Sequence, residues 1–332
     1  MRQILKKSLF INKIIVYYGY FIFRIFSKTP KISLKGMINL YCLTNGVFTT
    51  NFHNHLKKLK NNDSQIKSDF FEEITEKELD TVSKELKEEG YSLFPLKLKT
   101  NVLSQINKLA LSLKSEVSGE EINFNPNSIK SNIYRFNKND LMNNPTIQKL
   151  IMDPILTKVA KNYLESEPIF DHPALWWSTD FNKKISGDGA QKFHFDYERL
   201  KWIKIFFYIS DVNEYNGPHC YISSTHKDNS KPNELLSKGY TRIDDKEIRN
   251  FYEENRFKEL KGESGTILFG DTLCWHKGKP IRKGNRLMLQ FQYTSSLFGI
   301  NQRLTVSKKN SKEFYKFSKK NKFYTKNIDF VN

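Results

Sequence analysis

Gln191-Lys192-Phe193-His194-Phe195-Asp196, taken with Trp275-His276-Lys277-Gly278 and the Arg286 beyond it, is the stretch on which the fold turns. His194 and Asp196 stand two apart, so on a strand both side chains leave the same face and can grip one ion. Two histidines and one carboxylate are the set that holds non-haem iron(II) on one face and leaves the opposite face open. His276 lies far along the chain, which demands a fold that returns a distant strand beside the first. Arg286 follows one strand and one turn later, where a guanidinium fork can take the far carboxylate of a bound 2-oxo acid. An H-x-D triplet alone arises by chance. The order H-x-D, His, Arg in a strand-rich region is what carries the signal.

Around this centre, 332 residues with 38% hydrophobic and 14% aromatic content support a sizeable core and exclude global disorder. The net charge of +18 raises nucleic acid or an acidic membrane as partners. Lysine is spread along the whole chain beside Asn and Ile, however, which reads as compositional bias and sets nucleic acid aside. Three cysteines, an odd number without metal-ligand spacing, argue for a reducing compartment and hence the cytoplasm. Near the start, the apolar run 14–23 between Lys13 and Arg24 is too short to span a bilayer. No small-residue cleavage site follows it, which disfavours a signal peptide. Tyr17, Tyr18, Tyr20 and Phe21 suit a segment lying in a membrane interface, so peripheral membrane contact is one expectation. A helix packed on the core or on a second subunit is the other.

In chain order, residues 1–70 read as an apolar, basic extension and a polar connector, with His53 and His55 on a solvated loop. Residues 71–297 read as the main domain, and 298–332 as a basic tail whose aromatic residues dock on it. Thr75 and Glu78 form a capping box that predicts a helix to Glu89, ended by Gly90. A strand over 91–95 and helices over 102–117 and 147–164, the last interrupted at Pro154, come next. Strands are predicted over 173–179, 190–196, 202–210, 219–223, 265–269, 273–276 and 286–294. Residues 227–262 read as an insertion, a lid over the site mouth. The pattern predicts a mostly β protein with flanking helices: a double-stranded β-helix, the jelly-roll or cupin-like barrel.

Phe193-His194-Phe195-Asp196, Asn216-Gly217-Pro218, Ser223-Ser224-Thr225-His226, Gly270-Asp271-Thr272, Trp275-His276-Lys277-Gly278 and Asn285-Arg286-Leu287 run on to Tyr293. Over residues 72–297 this series resembles the phytanoyl-CoA dioxygenase family of iron(II)- and 2-oxoglutarate-dependent oxygenases, with Ser224-Thr225 where that family usually has Gly-Ser. The resemblance implies that His194, Asp196 and His276 hold iron(II), and that Arg286 binds 2-oxoglutarate with Gln191 on the cosubstrate side. Dioxygen is then the second cosubstrate. Hydroxylation of a small-molecule or lipid- or sugar-type substrate, with release of succinate and CO2, is the implied reaction. Asp196 favours hydroxylation over halogenation. Trp177, Tyr197 and Arg199 are candidates for the substrate side, and the basic chain suits an anionic substrate. The alternatives are a non-enzymatic membrane- or polyanion-binding protein on a cupin-like scaffold, and a cupin-type metalloenzyme without 2-oxoglutarate. Arg286 argues against the last, which has no far carboxylate to hold.

Overall fold

Alternation along one strand shows how the layers form. In the computed structural model, which describes residues 8–59, 68–71, 74–181 and 190–332, every residue from Trp202 to Tyr208 is buried. Ile203, Ile205 and Phe207 belong to a core shared with helices, whereas Phe206 and Tyr208 belong to a second cluster inside a barrel. A strand buried on both faces must lie between two layers.

Among the described residues three helices come first: α1 (Leu9–Phe26), α2 (Lys31–Thr44) and α3 (Val47–Leu56). The expected capping box opens α4 (Glu76–Glu89), where the Thr75 hydroxyl and the Glu78 carboxylate each accept from the other residue's amide, and Gly90 ends it at φ +85°. β1 (Tyr91–Leu93), α5 (Thr100–Ser112), β2 (Lys114–Val117), β3 (Glu120–Asn123) and β4 (Ile133–Phe136) follow. Next come α6 (Lys138–Met142), α7 (Pro145–Ile151) and α8 (Pro154–Leu164), the last two each starting on a proline behind an Asn144 or Asp153 cap. The remaining strands are β5 (Ile169–Thr179), β6 (Trp202–Tyr208), β7 (His219–Ile222), β8 (Phe257–Leu260), β9 (Ile267–Gly270), β10 (His276–Gly278), β11 (Asn285–Thr294), β12 (Leu304–Ser307) and β13 (Ile328–Val331). Short helices α9 (Asn233–Ser237) and α10 (Asp245–Ile248) lie between β7 and β8, and α11 (Lys312–Lys320) between β12 and β13.

The major sheet has the order β1-β9-β6-β11-β5-β4-β2-β3 and the minor sheet β10-β7-β8. All pairings within the two are antiparallel. The two sheets form the double-stranded β-helix. Helices α4 to α8 cover the outer face of the major sheet, burying Leu79, Leu86, Ile106, Leu150 and Val159 against Ile205, Phe207 and Leu289. The tail joins the same core through Phe314, while β12 and β13 pair in parallel.

Several expectations need correction. Residues 31–56 are the helices α2 and α3 rather than a connector. Ser33, Gly36, Met37, Leu40 and Tyr41 fall at helical spacing and are buried. Small residues make up part of this stripe, which hid it among Asn and Lys. His53 is accordingly no loop residue: it is buried in α3 and its Nε2 meets the Leu164 carbonyl oxygen at 3.1 Å. The helix expected over 102–117 ends at Ser112, because residues 114–117 pair with β3 and β4. Residues 190–196 make isolated bridges instead of a full strand, Phe193 with Ile243 and His194 with His276.

Candidate metal centre

His194 and His276 face each other across their bridge, with His194 N–H to His276 O at 3.0 Å and the reverse bond at 2.8 Å. Their rings lie 4.4 Å apart. Asp196 is placed by its own amide, which donates to the Thr272 carbonyl at 2.8 Å. The Gly270-Asp271-Thr272 turn thus serves the site. Asp271 caps it by accepting from Leu273 N–H at 2.8 Å. Gly270 leaves room for Tyr221, whose hydroxyl would lie 2.3 Å from an added Cβ, and the Tyr221 ring stacks on His276 at 5.6 Å.

One ligand atom from each of His194, Asp196 and His276 lies within 4.8 Å of the others. Each histidine Nε2 is 3.7 Å from an Asp196 carboxylate oxygen, His194 from Oδ1 and His276 from Oδ2. Metal bonds of roughly 2.1 Å at right angles separate ligand atoms by about 3 Å, so small side-chain rotations close the set around one ion. The ring orientations also fit. His194 Nδ1 meets the Lys192 carbonyl at 2.9 Å and His276 Nδ1 the Cys274 carbonyl at 3.0 Å. A carbonyl only accepts, so each Nδ1 carries the proton and each Nε2 lone pair is left for a metal. Burial pushes the His276 pKa down to about 3, with His194 adding to the shift, and burial lowers that of His194 too. Both imidazoles are therefore neutral, the form that binds metal.

Burial alone would raise the Asp196 pKa, but the Lys204 ammonium holds it below the usual carboxylate range. Lys204 Nζ donates to Oδ2 at 2.7 Å and so fixes one carboxylate oxygen. Sequence reasoning missed Lys204. Its signal was a lone charge inside the apolar run 202–208, on the parity of Phe206 and Tyr208.

Arg286 opens β11 opposite Ser178 and is buried. It donates to the Gly217 carbonyl and, at 3.2 Å, to the Ser178 hydroxyl, while its Nε has no partner. Among the described residues it forms no ion pair with a carboxylate, and burial lowers its pKa to about 10, so it remains a cation at neutral pH. His219, also missed, follows the Asn216-Gly217-Pro218 turn. Its ring lies 4.4 Å from that of Phe206, its Nδ1 is unpartnered, and its pKa is lowered by burial and then by the charge of Arg286. Two residues before Tyr221, the register partner of His276, His219 shares its face of β7 and so faces the same interior as the triad. Gln191 is half-buried next to Ala190, whose carbonyl accepts from Gly278 N–H at 3.1 Å.

The three substrate-side candidates point elsewhere. Trp177 lies on the helix side of β5, stacked on Phe124 at 4.3 Å. Tyr197 is buried against Tyr41 and Trp202. Arg199 grips Asp171 through two bonds of 2.7 and 2.8 Å and donates to the Leu297 and Ile300 carbonyls. Strand parity separates Tyr197 from Asp196 and Trp177 from Ser178. His226 is also outside the triad, with Nδ1 3.5 Å from Cys274 Sγ. Just before it, Ser224 adopts φ +64° where a glycine would be unstrained.

Five of the seven histidines, His53, His194, His219, His226 and His276, have their pKa lowered by burial, His53 and His226 to about 4. Unfolded, each protonates near 6.5, so the stability they contribute is complete above that pH and is lost as pH falls toward their folded values. Asp153, raised by burial to about 6, opposes this over part of the range, one group against five. The urea midpoint of metal-free protein should therefore fall steadily from about pH 7 to pH 5; an unchanged midpoint would contradict the buried, neutral histidines.

A family model described as phytanoyl-CoA dioxygenase matches residues 86–286. Among solved structures, the chain is similar to HygX from Streptomyces hygroscopicus with nickel, 2-oxoglutarate and hygromycin B bound (TM-score 0.50), and to HygX with nickel and 2-oxoglutarate bound (TM-score 0.51). In both cases identity is 15%, covering 70% of this chain and 91% of that one. AviO1 from Streptomyces viridochromogenes Tue57 is similar at TM-score 0.44 and 12% identity, covering 67% of this chain and 96% of that one. No curated protein matches the sequence. At such identities the likeness to HygX speaks for the fold.

Proposed function

We infer, since this chain belongs to the phytanoyl-CoA dioxygenase family of iron(II)- and 2-oxoglutarate-dependent enzymes, that His194, Asp196 and His276 hold the iron and Arg286 the cosubstrate's far carboxylate. The observation that carries this reading is one barrel interior containing both two neutral histidines with an ionised Asp196 and a buried guanidinium that has no counter-ion among the described residues. A buried cation is costly unless paired, and a dicarboxylate chelated at the triad supplies the missing partner. Gln191, three residues before His194, is assigned to the cosubstrate side by the family resemblance.

Iron(II) held there would activate O2, which is the oxidant: 2-oxoglutarate gives up two electrons to become succinate and CO2, one oxygen atom going to succinate and the other into a substrate C–H bond. The chain's own residues orient and shield. The Lys192 and Cys274 carbonyls fix both imidazole tautomers, and Lys204 leaves one Asp196 oxygen for the metal. Phe206, Tyr208, Leu268 and Met288 line the interior and exclude water. The prime substrate is a small molecule entering past residues 227–256, the part of the expected insertion that precedes β8, since 257–260 pair with β7 as part of the minor sheet. That segment sets Tyr240 5.3 Å from the Phe195 ring, and the Arg242 charge reaches His194. A cation at the mouth favours an anionic substrate.

Anaerobic addition of iron(II) and 2-oxoglutarate should give the visible charge-transfer band of a chelated 2-oxo acid, and admission of air should release succinate. Iron binding without the band would sink the 2-oxoglutarate reading and leave the cupin-type metalloenzyme.

A further inference from the structure

Helix α1 carries an apolar face that the described residues leave exposed, with Tyr17 at its edge meeting Phe48 and Phe52. At 3.6 residues per turn, Phe10, Ile14, Tyr17, Phe21 and Ile25 fall within an arc of about 80°, and all five are exposed, Phe10 at 72% and Phe21 at 60%. Asn12, Val16, Gly19 and Phe23 occupy the opposite arc and are buried.

The buried side is fixed. A Cβ on Gly19 would lie 1.8 Å from Ser33 Oγ, so α1 and α2 touch closely there. Ser33 Oγ donates to the Ile15 carbonyl at 3.1 Å, and Asn39 donates to Asn12 at 3.1 Å. Tyr20 meets Phe298 of the main domain at 5.3 Å between ring centroids. The helix therefore cannot turn its outer face inward. Nor can it leave to span a bilayer without stripping the Asn12 pairing.

Charge identifies what the face meets. Residues 1–62 contain eleven Lys and Arg and no Asp or Glu. Lys13 and Arg24 border the apolar arc on one side, by the same helical spacing. At the end of α1, Ser27 and Lys28 line a cavity of about 480 Å³ together with Arg303 and Lys326. Two copies pairing through this face would set like charge against like. Anionic lipid instead offers acyl chains to the aromatic residues and phosphates to the basic border. We propose that α1 lies flat on an anionic phospholipid surface, its Phe10–Ile25 face in the lipid and its basic border at the headgroups, and so docks the oxygenase domain on a membrane.

The full chain, sedimented with vesicles of phosphatidylcholine alone or mixed with phosphatidylglycerol, tests this. Pelleting should require phosphatidylglycerol, weaken as salt rises, and drop roughly tenfold in Phe10→Ser/Phe21→Ser and in Lys13→Glu/Arg24→Glu. The second pair retains the apolar face, so it guards against a folding defect in the first. Circular dichroism melting and the charge-transfer titration should be unchanged in both, which separates docking from the proposed chemistry. Binding to neutral and anionic vesicles alike, no binding to either, or a dimer in light scattering that the serine pair dissolves would each overturn the proposal.

Discussion

His276→Ala is expected to abolish iron(II) binding at stoichiometric metal and to cut succinate formation roughly a thousandfold, about 4 kcal/mol. His276 is fixed on three sides: by its bridge to His194, by the Cys274 carbonyl at Nδ1, and by the Tyr221 ring. Its Nε2 is thus positioned before metal arrives, and no other described side chain can take its place. His226 is turned toward Cys274, and His219 lies beside Phe206. The variant should fold, because its backbone bridge survives. Removing a neutral, buried imidazole costs packing rather than leaving a stranded charge. Equilibrium dialysis with iron(II) and a thermal melt read the two effects separately. Stoichiometric iron retained in a folded His276→Ala protein would mean that the metal sits elsewhere.

The clustering of His194, Asp196 and His276 was legible because its signal is chemical identity in a fixed order, H-x-D followed by a distant His, where H-x-D alone arises by chance. The double-stranded β-helix followed from short strands, turns and a returning histidine. Lys204 and His219 were hidden because their importance depends on which layer covers each face. A lysine in an aromatic strand reads equally as an edge charge until both faces are seen to be buried. Trp177, Tyr197 and Arg199 misled through sequence proximity to the site, although on extended chain the next residue faces away from its neighbour. Arg199 answers instead to Asp171, a pairing made by tertiary return. Helices α2 and α3 escaped notice because Gly36 and Ser33 let backbones approach closely where larger apolar residues would have announced a core.

Arg286→Met should raise the apparent dissociation constant for 2-oxoglutarate by roughly 30-fold to several-thousandfold, the equivalent of about 2–5 kcal/mol for truncating one partner of a buried charge pair. Iron binding should persist, since the triad stands without the arginine. The same change should leave the cosubstrate-free protein as stable as before, or more so. In the free chain this guanidinium is buried and, among the described residues, bonded only to the Gly217 carbonyl and the Ser178 hydroxyl, with an unpartnered Nε. Replacing such a cation by an apolar side chain of similar length removes a desolvated charge. Arg286→Lys should rank between the two proteins in affinity, because it keeps the charge and loses the two-pronged geometry. The paired outcome, weaker cosubstrate binding with undiminished stability, distinguishes a binding cation from a structural one. A structural arginine would give the reverse: a lower melting temperature, with 2-oxoglutarate affinity intact in whatever protein remained folded. Melting curves and the charge-transfer titration, run on the same preparations, decide between them.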